Sequence, residues 1–220
     1  MERRDNYAAQ AAAAKTIFLG YDQEALIRKF HLRADERYLY PVMLGDAYRL
    51  SRTTGDLSRR VGDAWVDGNS YDEVMTLLDI LCDSREDRFI TGRWKSMQAF
   101  GNQIHRNLLE QPRNPTAEMF AGNPDLFTDA CRSLGGTPVP MGDLGFGIEL
   151  LDGLRIAVAL WQADEDFPAA LRYYWDENAL MYIRYETMYY AVGLLVDRLK
   201  ERMERPSGGN GERRRENVRM

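Results

Sequence analysis

Apolar residues recur at helical spacing from the start of the chain. Tyr7, Ala11, Ala14 and Phe18 make one inner face over residues 5–19, in an Ala-rich run that favours helix, and Gly20 ends it. Asp22 is placed to cap a second short helix through about Phe30. The period then changes. "YLYPVMLGDAYRLSRTTGDLSRR", residues 38–60, is rich in β-favouring residues and punctuated by Gly45-Asp46 and Thr54-Gly55-Asp56, which predicts two or three short antiparallel strands. Pro41 puts the first of them at an edge or a bulge. The clearest helix is "SYDEVMTLLDILCD", residues 70–83. Ser70 and Glu73 form a capping box there, and Tyr71, Val74, Met75, Leu78, Leu81 and Cys82 fall on one stripe.

Residues 84–115 read as irregular, with a short helix near residues 104–109. Asn123, Pro124 and Gly135 then bracket a helix with Phe127, Ala130, Cys131 and Leu134 on one face. "DLGFGIELLDGLRIAVALW", residues 143–161, gives two strands around the hairpin signal Asp152-Gly153, the second almost continuously apolar and so central. Residues 171–175 make a third strand. A long helix over residues 184–204 buries Tyr185, Met188, Tyr189, Val192, Leu195, Val196 and Leu199.

These elements predict an α+β fold, with a mainly antiparallel sheet of about five or six strands and helices packed largely on one face. Residues 1–20 form an N-terminal helix, 21–204 a single α+β domain, and 205–220 a disordered tail rich in Arg and Gly. A chain of 220 residues suits one domain and buries a core large enough to need no staple.

A net charge of −5 argues against a nucleic-acid surface. No stretch is apolar for long enough to span a membrane, and the N-terminus lacks the pattern of a signal peptide. Cys82 and Cys131 both fall on apolar stripes, which suits buried thiols in a reducing cytoplasm. Two histidines and two cysteines supply neither a structural zinc site nor an iron–sulfur cluster. Gly142, Gly145 and Gly147 lead into a strand rather than a helix, so they make no phosphate cradle.

The chemistry concentrates in "LWQADEDFPAALRYYWDENALMYI", residues 160–183, where Asp164, Glu165 and Asp166 stand in a row. One reading is a solvated connection, with Pro168 protecting the next strand's edge. The other is a site. Strand alternation would bring Asp164 or Asp166, Asp176 and Glu186 to one end of the sheet, where they hold a small ligand. As a metal set, Asp164, Asp176 and Glu186 would take a hard cation. A carboxylate pair there could also do acid–base work. Trp94 is a candidate stacking residue, and His105 reads as a surface or hydrogen-bonding residue. The tyrosines 173, 174, 182, 189 and 190 offer instead a core and a partner or homodimer face.

The same residues carry a family resemblance. Trp161, the acidic run 164–166, Phe167-Pro168, Trp175-Asp176 and Glu186 resemble the late motif of the bacterial and archaeal domain-of-unknown-function family 3786. Its Leu-rich helix and Gly-x-Trp are similar to residues 74–101, with Gly92 and Trp94, and "ACRSLGGTPVPMGDLGFGIELL" fits the segment between. The likeness runs from about Tyr21 to Leu199, with Trp175 where the family more often has Phe. No activity is implied, because none is assigned to the family. Relatives fused to cysteine-rich iron–sulfur domains imply an anaerobic setting. The motif is also compatible with a structural role, Phe167 anchoring the core and the acids capping backbone amides.

The function expected from all this is an accessory binding module for a small ligand or hard cation. The alternatives are a structural or interaction domain without a ligand, and an enzyme using paired carboxylates.

Overall fold

The computed structural model describes residues 2–101 and 114–204. The fold is α+β, and the strands divide into two antiparallel sheets rather than one. Residues 104–109, His105 and the tail 205–220 lie outside the described residues.

The chain begins with α1 (Glu2–Leu19) and α2 (Gln23–Phe30). Phe18 and Ala14 of α1 are buried as the spacing predicts, while Ala11 of the same expected face is half-buried and Tyr7 exposed, and the Asp22 side chain accepts the Ala25 N–H to cap α2. The first sheet follows: β1 (Arg33–Ala34), β2 (Tyr38–Tyr40), β3 (Val42–Met43), β4 (Asp46–Ser51), β5 (Leu57–Val61) and β6 (Ala64–Val66). Its order is β1-β2-β4-β5-β6, with β3 also on β4. Asp46, Tyr48 and Leu50 alternate inward along β4.

Helix α3 (Tyr71–Asp83) starts at the full capping box of Ser70 and Glu73. Its burial is wider than one stripe, since Leu77 and Ile80 are buried along with Leu78 and Leu81. Next come β7 (Trp94–Ser96), α4 (Pro115–Ala121), α5 (Pro124–Ser133) and β8 (Thr137–Pro138). Strands β9 (Leu144–Leu151), β10 (Leu154–Trp161) and β11 (Ala170–Asp176) complete a second sheet in the order β7-β11-β10-β9-β8, and α6 (Tyr185–Glu204) closes the chain.

Asp152 and Gly153 both take positive φ, 55° and 79°, the turn that suits the twist of a two-residue hairpin. Strand β10 is central, as its apolar run predicts. The glycines before it serve close packing. A Cβ on Gly145 would stand 2.4 Å from the Met141 carbonyl oxygen. Phe120, Phe127 and Phe146 stack α4 and α5 against this sheet, with centroids 5.0 and 6.2 Å apart.

A buried ionic cluster joins the first sheet to the helices. Arg198 of α6 has a side chain only 5% exposed. Its Nε lies 3.1 Å from Asp46 Oδ2 on β4, its Nη1 donates to Glu201 at 2.9 Å, and its Nη2 reaches Glu73 on α3 and, at 3.1 Å, the Tyr48 hydroxyl. Arg59 on β5 bonds Asp46 at 3.1 Å and Glu201 at 2.8 Å, and Arg202 pairs with Asp46. Three guanidiniums therefore meet three carboxylates, with Arg198, Asp46 and Glu73 at the buried centre and Glu201 at the wet edge, its side chain 37% exposed. Such a cluster is strongly destabilised by removing one member, because the rest become uncompensated buried charge. Arg198→Met should lower unfolding free energy by about 3–5 kcal/mol in urea denaturation. A loss below about 1 kcal/mol would mean that water already screens the cluster.

Candidate functional site

The five residues singled out in the sequence fall in four places. Asp164 and Asp166 lie in the exposed connection between β10 and β11. Asp164 Oδ1 accepts the N–H groups of Asp166 at 2.9 Å and Phe167 at 2.7 Å, and its own N–H donates to the Phe167 carbonyl at 3.0 Å. The acid run is a self-closed turn in which Asp164 caps backbone amides. Phe167 is 70% exposed, so it does not anchor the core.

Asp176 ends β11, beyond a strand of seven residues. That length separates it from the acid run by about 20 Å. It is 3% exposed and its carboxylate is occupied by the chain itself. The N–H groups of Thr91, Gly92 and Asn178 donate to it at 3.0, 2.7 and 2.9 Å, and the Thr91 hydroxyl at 3.1 Å. It fastens the segment before β7 to the end of β11. Trp94 is half-buried on β7, its ring 3.3 Å from where a Gly147 Cβ would stand, so it packs over the sheet.

Glu186 is exposed in the first turn of α6. These residues do not converge, and among the described residues no three His, Cys, Asp or Glu side chains could hold a metal ion. Of the tyrosines expected in a core and on a partner face, Tyr173 and Tyr182 are buried, while Tyr174, Tyr189 and Tyr190 are half-buried.

Glu186 does border a recess. A groove of about 400 Å³ runs between α1, α3 and the start of α6. Ile17, Met75 and Leu78 make it apolar along its length. Tyr71 and Tyr190 form an aromatic wall, edge-on with centroids 5.1 Å apart, and Tyr7 stacks behind Tyr71 at 4.7 Å. The polar end holds Asp79, Asp83, Arg184 and Glu186. Arg184 pairs with Asp83 at 2.6 Å. Asp79 is 6% exposed and takes one side-chain hydrogen bond, from the Thr187 hydroxyl.

Burial pushes the Asp79 carboxyl above its ordinary range, against the Thr187 hydrogen bond and the nearby Arg184, which favour the charged form. Cys82 lines the same wall and is unpaired. Burial, with Asp83 and Asp79 beside it, lifts its thiol to about 12, which makes it inert as a nucleophile. Asp79 was not among the sequence candidates. The signal for it is a lone acid inside the apolar run Leu77 to Cys82.

The chain belongs to the domain-of-unknown-function family 3786. The family model matches residues 22–198. No curated protein and no solved structure matches the chain. The family stretch includes α3 and the part of α6 that line the groove, whereas α1, its remaining wall, precedes it. No described helix is long and apolar enough to cross a membrane.

Asp176→Asn turns an amide –NH₂ toward the donors of residues 91, 92 and 178 and should cost about 3 kcal/mol in chemical denaturation. Asp164→Asn keeps the accepting oxygen and should cost less than about 0.5 kcal/mol. For Asp79 the pH dependence has a definite sign. The folded state holds its proton more tightly than the unfolded chain, whose ordinary value is 3.8, so this group's contribution falls as pH rises above 3.8 and levels off once the folded carboxyl has ionised. Asp79→Asn should therefore be more stable than wild type at pH 8, with the advantage shrinking toward pH 4 in paired thermal melts.

Proposed function

We propose that this family member is an accessory binding module, and that its ligand is a small amphiphile seated in the groove between α1, α3 and α6. The apolar body would lie along Ile17, Met75 and Leu78, and a head bearing hydrogen-bond donors would meet Asp79 and Glu186. The observation that carries this reading is Asp79. A nearly buried carboxyl facing an apolar groove is a costly arrangement, and a hydrogen-bond donor from outside would relieve it. This keeps the expectation of a ligand held by acids and moves it from the end of a sheet to a crease between helices.

A reducing, cytoplasmic setting is part of the proposal and is supported by the two unpaired thiols. A bacterial or archaeal source with anaerobic metabolism is a further part and rests on the family resemblance alone.

The test is a thermal-shift titration with aryl-alkyl alcohols, amides and amines, with native mass spectrometry for stoichiometry. At least one class should bind one molecule per chain. Binding should disappear in Ala13→Trp, which fills the groove from an exposed position, and weaken about tenfold in Asp79→Asn. Absence of binding by the whole panel, or equal binding by Ala13→Trp, would sink the proposal.

A further inference from the structure

A second cleft, of about 460 Å³, opens on the adjoining face of α6, toward β11 and the start of α4. Tyr189, Val192 and Val196 recur at i, i+3 and i+7 and form one wall. Asp72 reaches it from the first turn of α3, and Asp197 lies on α6 itself.

Three observations set this cleft apart. The first is Gly193, in the interior of a 20-residue helix, where glycine is a poor choice. A Cβ there would stand 2.9 Å from Asp72 Oδ2, so the missing side chain makes room for that carboxylate against α6. The second is charge. Asp72 and Asp197 make no ion pair or side-chain hydrogen bond among the described residues. Burial, then Asp197 and Glu73, push Asp72 up to about 6. Glu73 is already matched by Arg198, which leaves Asp72 and Asp197 without a cation.

The third observation is Tyr173. It is 7% exposed and lines the cleft, yet its hydroxyl has no hydrogen-bond partner among the described residues. A first-turn acid on α3 is favoured by the helix dipole, which accounts for Asp72 alone. It does not account for the close approach at Gly193 or for the unpartnered Tyr173 hydroxyl.

We propose that this cleft binds a primary alkylammonium group, such as one end of a diamine or polyamine. The Asp72 and Asp197 carboxylates and the Tyr173 hydroxyl are three acceptors for the three N–H bonds of that group. Val192 and Val196 offer a hydrocarbon wall to the attached chain. A divalent cation suits the cleft less well, because it asks for oxygen on every side.

The experiment is calorimetric titration of the full chain with putrescine and spermidine, beside tetramethylammonium, Mg²⁺ and Ca²⁺. One amine per chain should bind, and tetramethylammonium, which has no N–H, should not. Asp197→Asn, at an exposed position, should weaken the amine about tenfold, and Tyr173→Phe should weaken it by a smaller factor while leaving the fold intact by circular dichroism. Ala13→Trp should leave amine binding unchanged, so failure here and failure of the α1 groove are separately visible. No amine binding, equal binding by Asp197→Asn and Tyr173→Phe, or a response to Mg²⁺ or Ca²⁺ as strong as to the amines would each overturn the proposal.

Discussion

The fold turns on Arg198. Its guanidinium touches Asp46 of the first sheet, Glu73 of α3 and Glu201 of its own helix at once, and Arg59 of β5 reaches the same three carboxylates from the sheet side. A hydrophobic contact at that place would tolerate sliding. A forked cation with three anionic partners does not, because each donor has one direction. The cluster thereby fixes how α6 lies across α3 and how both meet β4 and β5. Glu73 makes the point economically: one carboxylate oxygen receives the Ser70 N–H to start α3, and the other receives Arg198 and Tyr48. The start of one helix and the position of another are set by the same side chain.

Fixing α6 against α3 also fixes the spaces beside them. The two helices run antiparallel, with Asp72 near Gly193 and Asp79 at Thr187. On one side α1 does not fill the crease, because its Ala-rich surface brings little volume. On the adjoining side Gly193 presents no side chain, so the Asp72 carboxylate comes up against α6, where a Cβ would stand 2.9 Å from its Oδ2. Both recesses therefore arise from small residues beside a rigid pair, and both have an acid of α3 at their edge.

How much of this was readable from the sequence depends on whether the cause is local. The capping box, the Asp152-Gly153 hairpin and the apolar run of β10 are set by neighbours in sequence, and each lies where its pattern puts it; the stripe of α6 is buried at Met188, Val192, Leu195 and Leu199, while Tyr185, Tyr189 and Val196 are half-buried. The division into two sheets was not readable, since each strand's alternation is the same whichever sheet it joins. A single described backbone bond, Leu44 N–H to the Leu150 carbonyl, marks where the sheets meet. The acid run drew attention because its charges are dense, but density in sequence reflects a tight turn. Of the acids that face recesses, Asp79 sits alone among apolar neighbours, Asp72 reads as an ordinary first-turn acid beside Glu73, and Arg198 looked like one more polar residue of a long helix. The partners of Arg198 include Tyr48, 150 residues away, which no local pattern reveals.

That distance has a consequence for biosynthesis. Asp46, Arg59 and Glu73 leave the ribosome long before Arg198, Glu201 and Arg202. Until the C-terminal helix arrives, the first sheet carries inward-facing charges with too few counter-ions to be buried. The pairing of Asp46 and Glu73 with their full set of guanidiniums therefore waits until α6 has been made, after the strands of both sheets.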